Sequence, residues 1–170
     1  MTKKNIAKFL LFSQSALFLA GSFVAWTATT QRFIAFYDIE GTIFKFRDCA
    51  FTNPLLTSCF YGGVAFVVAF FWSLFILMAK DGEKQNLQQK KLLWLILACV
   101  LFAWSNYSYE LYNYVKAAGD PVMGCSGVIT HPLKTACFYG SAIFLASFIN
   151  ALALLKFSSF APHQQLKNGE

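Results

Sequence analysis

Cysteines are the residues of this chain that could most directly do chemistry. Four of the five occur as two pairs of neighbours along the sequence, Cys49 with Cys59 and Cys125 with Cys137. Such a pair can form a structural disulfide, or it can carry electrons by thiol–disulfide exchange. Either use indicates an oxidising compartment such as a periplasm. The fifth, Cys99, stands alone in an apolar stretch, and we expect it to be an inert buried thiol.

Four apolar stretches must position these cysteines. The chain has 170 residues, of which 57% are hydrophobic and 13% charged, which is too apolar for a soluble domain. A helix needs about 20 apolar residues to cross the hydrocarbon core. The stretches of that length run from Ile6 to Thr29, from Phe60 to Ala79, from Leu92 to about Tyr112, and from Cys137 to Leu155. The sequence therefore predicts an all-α membrane protein, a single domain over residues 1–170 with four transmembrane helices.

The sequence also matches itself at an offset of 78 positions. The segment from Pro54 to Gly62, with the pattern Pro-Leu-x-Thr-x-Cys-Phe-Tyr-Gly, reappears from Pro132 to Gly140. This predicts two tandem helical hairpins, repeat 1 at about 6–79 and repeat 2 at about 86–157. Repeats that start on the same side of a membrane are related by a pseudo-two-fold axis along its normal. The expected fold is a four-helix bundle, with outer loops over about 30–58 and about 113–136.

The basic residues predict the orientation. Nine of the 14 lysines and arginines fall on one side of the predicted spans and five on the other. By the positive-inside rule, both termini and the loop from Lys80 to Lys91 are cytoplasmic. We expect a multi-pass protein of the cell inner (plasma) membrane whose partner is the lipid bilayer, and no nucleic acid. The nine are Lys3, Lys4, Lys8, Lys80, Lys84, Lys90, Lys91, Lys156 and Lys167.

Three pairings are open to the four loop cysteines, and the repeat favours the two local ones, Cys49–Cys59 and Cys125–Cys137. Thr57 and Thr135, each following a proline, are predicted N-caps of the second and fourth helices. Cys59 and Cys137 then lie in a first helical turn, where the helix dipole stabilises a thiolate. The two interpretations are permanent disulfides that pin the loops and a redox-active pair.

A metal site is a weaker interpretation of the second loop. Cys125, His131 and Cys137 could serve as soft metal ligands. The first repeat has Asn53 in place of His131, and disulfide formation would consume the thiolates. We predict no metal site.

The predicted outer end of the third helix is rich in aromatic and polar residues. Trp104 and four tyrosines between residues 107 and 114 indicate an interfacial aromatic belt, or else a pocket for a quinone or lipid. Asn106, Glu110 and Asn113 share one helix face and point into the bundle, or are solvated if the helix has left the hydrocarbon. The small residues Gly62-Gly63 and Gly140-Ser141 allow close helix packing or leave room for a ligand.

The repeat register also suggests an ion pair. At the offset of 78, Arg32 falls on Glu110 and Asp38 falls on Lys116. Opposite charges at equivalent positions would attract across an axis, so we hypothesise an inter-repeat pair between Arg32 and Glu110. Reversing either charge alone should destabilise the protein, and reversing both should restore it.

Four spans with two cysteine pairs in outer loops resemble the quinone-reducing, disulfide-generating membrane proteins of the DsbB type, and more loosely the vitamin K epoxide reductases. The resemblance is one of topology. Those families carry Cys-x-x-Cys, whereas the spacings here are Cys-x9-Cys and Cys-x11-Cys. The resemblance implies electron transfer from Cys59 or Cys137, each with its loop partner Cys49 or Cys125, to a membrane quinone.

Two functions follow as expectations. The first is a non-enzymatic accessory or binding subunit, without a cofactor, whose disulfide-stabilised outer cap binds a membrane partner or a lipid. The alternative is the thiol–disulfide oxidoreductase coupled to a quinone. Transport is disfavoured because the predicted spans contain few charges and no broken helices.

Overall fold

The computed structural model describes residues 3–45, 53–79, 81–117, 122–123 and 129–158. Four helices dominate it, and each is long and apolar enough to cross a membrane. This confirms the prediction of four helices that could each span a membrane. Two residues of β1 pair antiparallel with two residues of β2, Val122 with Thr130 and Met123 with Ile129. The helices are α1 (Lys3–Glu40), α2 (Ser58–Met78), α3 (Gly82–Lys116) and α4 (Ala136–Ser158), and the strands are β1 (Val122–Met123) and β2 (Ile129–Thr130).

Two of the helices are longer than the predicted spans. α1 has 38 residues and α3 has 35, so each is more than 50 Å long at about 1.5 Å per residue, against a hydrocarbon core of about 30 Å. The predicted start of the first loop at Thr30 is wrong, because α1 continues to Glu40. It ends where Gly41 takes a φ of 66° and donates its N–H to Tyr37 O at 2.8 Å, a left-handed conformation that favours glycine.

The four helices form a bundle in which α2 and α4 lie on one diagonal. α1 packs along both α2 and α4, and α3 packs along α4 and, less extensively, along α2. On the diagonal, the buried rings of Phe66 and Phe144 are stacked, with centroids 3.8 Å apart and planes 7° from parallel. This aromatic pair is the centre of the core.

Hydrogen bonds between helices set the register of the bundle. Gln89 Nε2 on α3 donates to Gln14 Oε1 on α1 at 2.9 Å, with both side chains buried. The hydroxyls of Ser15 and Ser73 join α1 to α2 at 2.9 Å. Asn150 Nδ2 on α4 donates to Leu10 O on α1 at 2.9 Å. Lipid is as apolar as a protein core, so polar contacts of this kind help to specify how membrane helices pair.

The segments that lead into α2 and α4 share one local geometry. A single 3₁₀ turn precedes each helix, Pro54–Leu56 before α2 and Pro132–Lys134 before α4. Thr57 Oγ1 donates to Pro54 O at 2.7 Å and accepts the N–H of Phe60 at 3.4 Å. Thr135 Oγ1 makes the corresponding bonds, to Pro132 O at 2.8 Å and from Phe138 N at 3.4 Å. The prediction that both threonines cap these helices is confirmed.

Candidate functional site

A cleft of about 440 Å³ lies between α2, α3 and α4, at the end of the bundle where α2 and α4 begin. Its surface is almost entirely apolar, and glycines and alanines form much of the wall. All three cysteines that the structure describes line it. The principal lining residues are Cys59, Gly62, Ala65 and Phe66 of α2, Ala98, Cys99, Phe102, Ala103 and Asn106 of α3, and Cys137, Gly140, Ser141 and Phe144 of α4.

One aromatic ring of the cleft wall, that of Phe66, also lies over a glycine of α1. A Cβ on Gly21 of α1 would be 2.3 Å from Phe66 Cε1, so the ring occupies the space that a side chain would take. The Phe66 ring therefore contacts α1 at Gly21 and also faces the cleft, where it is stacked on Phe144. Cys99, which lies 78 residues after Gly21, also lines the cleft.

The sulfur atoms of Cys59 and Cys137 lie 3.7 Å apart. Each cysteine is the second residue of its helix, so the two first turns meet on the α2–α4 diagonal. Sequence reasoning left this pairing open but favoured the two local ones. The signal was present, because the two cysteines are separated by the repeat offset, and equivalent positions can meet at an axis.

The predicted partners of these cysteines, Cys49 and Cys125, lie outside the described residues. The Cys49–Cys59 and Cys125–Cys137 disulfides therefore stay predictions.

The polar side chains of the cleft bond mainly to their own helices. Asn106 Nδ2 donates to Phe102 O at 2.7 Å, and Ser141 Oγ donates to Cys137 O at 2.7 Å. Gly62 and Gly140 lie in the wall of the cleft, and the alternative that they leave room for a ligand stays a prediction. By contrast, Gly63 packs on Trp26, since a Cβ there would be 3.5 Å from the indole Nε1. Gly63 therefore lies in a helix contact, whereas Gly62 lies in the wall of the cleft.

Two half-buried charges lie beyond the cleft. Glu110 Oε2 lies 3.3 Å from Thr135 Oγ1 and shares the single hydroxyl hydrogen that Thr135 also directs to Pro132 O, a contact that connects α3 to the cap of α4. Arg32 on α1 is half-buried as well. The ion pair between Arg32 and Glu110 stays a prediction.

His131 has a structural role in the segment that the structure describes. Its Nδ1 accepts the N–H of Leu133 at 3.3 Å, and its ring meets the ring of Tyr114 edge-on, with centroids 5.1 Å apart. Asn53 Oδ1 accepts the N–H of Leu55 at 2.9 Å in the same way. The two residues are thus equivalent caps of the 3₁₀ turns, a role that either side chain fills. Cys125, another of the possible metal ligands considered from the sequence, lies outside the described residues.

The tyrosines near the end of α3 divide into two groups. Tyr107 is only 5% exposed and packs against Trp104 and Phe138. Tyr109 and Tyr112 are largely exposed, as an interfacial belt requires. Only part of this aromatic cluster can therefore serve as a belt, because Tyr107 belongs to the core.

No family model, curated protein or solved structure matches this chain. The geometry of the cleft is therefore the basis on which a function can be argued.

Proposed function

We propose that this chain is a multi-pass membrane protein that binds a small lipid-soluble molecule in the cleft between α2, α3 and α4. The observation that carries the proposal is the cleft itself, about 440 Å³ with an apolar wall. Ligand sites in proteins usually measure about 300–1,000 Å³ and are mainly apolar, with a few polar groups. Water can form few hydrogen bonds with such a wall, so it competes weakly for the cleft. A molecule already dissolved in the bilayer can enter the cleft without first being transferred from water.

The lining favours a ligand with a flat ring. Phe66, Phe102 and Phe144 offer aromatic surfaces, and Ala98 and Gly140 leave the space beside them open. Aromatic rings gain about 0.5–1.5 kcal/mol from favourable stacking beyond the area they bury. The sulfurs and Asn106 form the polar part of the wall, where a carbonyl or hydroxyl of the ligand would lie. An accessory role toward a partner membrane protein, the other form of the binding hypothesis, is compatible with the same site.

The framework of this proposal is a duplicated hairpin. The two capped turns have the same hydrogen bonds at positions 78 apart. Both contacts on the α2–α4 diagonal, Phe66 with Phe144 and Cys59 with Cys137, join residues that are 78 apart. A pseudo-two-fold axis between two copies brings equivalent positions together in this way. We infer that the axis passes between α2 and α4.

We also propose that both termini and the α2–α3 connection are cytoplasmic, which places the cleft in the outer half of the bilayer. The support is the excess of lysines near Lys84, on the side opposite to the first turns of α2 and α4. A cysteine substituted at position 84 should not be labelled by a membrane-impermeant maleimide in intact cells, and it should be labelled once the cells are opened. Labelling in intact cells would reverse the orientation.

Filling the cleft should weaken ligand binding. Ala98→Phe adds a phenyl ring to the wall, so we expect labelling by a photoreactive, short-tailed quinone to fall about tenfold in liposomes, equivalent to about 1.4 kcal/mol. A photoreactive fatty acid serves as the second probe and separates ring recognition from general lipid contact.

The matched control is Leu101→Phe, which adds the same ring on the same helix at a side chain that is 64% exposed. Its labelling should equal that of the unsubstituted protein. Equal labelling in Ala98→Phe, or label found only outside the peptides of the cleft, would contradict the proposal.

A further inference from the structure

We propose that Cys59 and Cys137 are a redox couple of their own, forming and breaking a disulfide across the bundle at the wall of the cleft. The electron acceptor is a quinone-class molecule bound in the cleft, so this inference rests on the proposed function. The couple differs from the local loop pairs expected from the sequence, because its two members come from different helical hairpins.

The geometry carries the inference. The two sulfurs are 3.7 Å apart, and a disulfide bond is about 2.05 Å long. Rotation of the two side chains is the motion by which the proposed bond would close this gap. The stacked rings of Phe66 and Phe144, about two turns further along the same helices, keep α2 and α4 close together near the two cysteines.

The position of both sulfurs favours the reactive form of the thiol. The first backbone N–H groups of a helix lack partners within the helix, and with the helix dipole they stabilise a negative charge. The N-terminal ends of both α2 and α4 lie beside this pair of sulfurs. Thiolates are the nucleophiles in thiol–disulfide chemistry, and helix N-termini are where reactive cysteines are often found.

The chemistry balances without a metal or water. Oxidation removes two electrons and two protons from the two thiols and forms one sulfur–sulfur bond. The quinone takes both electrons and both protons and becomes a hydroquinone, which leaves the cleft for the bilayer. A dithiol protein restores the thiols by exchange. Its thiolate attacks one sulfur to form a mixed disulfide, and its second thiol then releases it as a disulfide.

Cys99 provides an internal control. It lines the same cleft, so an oxidant in the cleft reaches it as well. The couple needs two adjacent sulfurs, so we expect peptide mapping to find Cys99 still as a thiol in the same sample in which Cys59 is joined to Cys137.

The experiment is peptide mapping of the full chain in liposomes under non-reducing conditions, after decylubiquinone or after a mild reductant. We expect a peptide in which Cys59 is joined to Cys137 after the quinone, and its loss after the reductant. Ala98→Phe should slow oxidation by decylubiquinone about tenfold, whereas oxidation by the soluble oxidant diamide should keep its rate. Leu101→Phe should match the unsubstituted protein with both oxidants.

The loop disulfides would use the same sulfurs, so the two pairings exclude each other. If mapping finds only Cys49–Cys59 and Cys125–Cys137 under every condition, the couple is overturned. Quinone labelling of the cleft without a cross-bundle bond would overturn the couple and leave the proposed function standing. A bond that forms with diamide but never with decylubiquinone would overturn the quinone as acceptor.

Discussion

Replacing Phe66 by alanine should lower the free energy of unfolding by about 2–3 kcal/mol. A buried Phe→Ala change in a soluble protein costs about 3–5 kcal/mol, part of which is the transfer of the ring from water. A membrane helix that separates from its neighbours stays in lipid, so that part is largely absent. The cost of the cavity and the cost of losing the stack with Phe144, whose ring centroid lies 3.8 Å from that of Phe66, remain.

The measurement is unfolding in mixed micelles by titration with a denaturing detergent. Phe71→Ala is the matched control, because it removes the same ring from the same helix at a position that is 64% exposed. We expect the control to change stability by less than about 0.5 kcal/mol. A loss at Phe66 no larger than the loss at Phe71 would contradict the central role of the stack.

Replacing Gly21 by alanine should both destabilise the protein and close the cleft. The new Cβ would lie 2.3 Å from the Phe66 ring, and that ring is buried against Phe144. The free direction for the ring is toward the cleft. Overpacking of this kind costs about 1–3 kcal/mol, and a ring displaced into the cleft should weaken quinone labelling as Ala98→Phe does.

Gly62→Ala is the control for Gly21→Ala. A Cβ at Gly62 meets nothing within 4 Å, so this change should be neutral or stabilise the helix by up to about 1 kcal/mol. A smaller side chain at position 66 should relieve the clash, so Gly21→Ala with Phe66→Leu should lose less stability than the sum of the two single changes. Additive losses would show that Gly21 and Phe66 do not share this space.

The sequence by itself determined the class of protein and the local structure at the helix starts. Four apolar stretches of sufficient length indicate membrane-spanning helices, because backbone N–H and C=O groups without hydrogen-bond partners are too costly in lipid. The caps at Thr57 and Thr135 were equally predictable, since each depends on a proline and a hydroxyl within a few residues. The end of α1 was misplaced because apolarity reports membrane depth, whereas a helix continues through polar residues until a residue such as Gly41 ends it.

Only the tertiary structure decided where the candidate site lies. Phe66 lines the cleft and takes the space above Gly21, a residue of a different helix, and no local pattern reports that packing. The approach of Cys59 to Cys137 has the same origin. Residues on one helix are related by a fixed period, but the distance between two helices is set by every side chain packed between them. The sequence identified the cysteines that could react, and the packing of the helices decided which two of them meet.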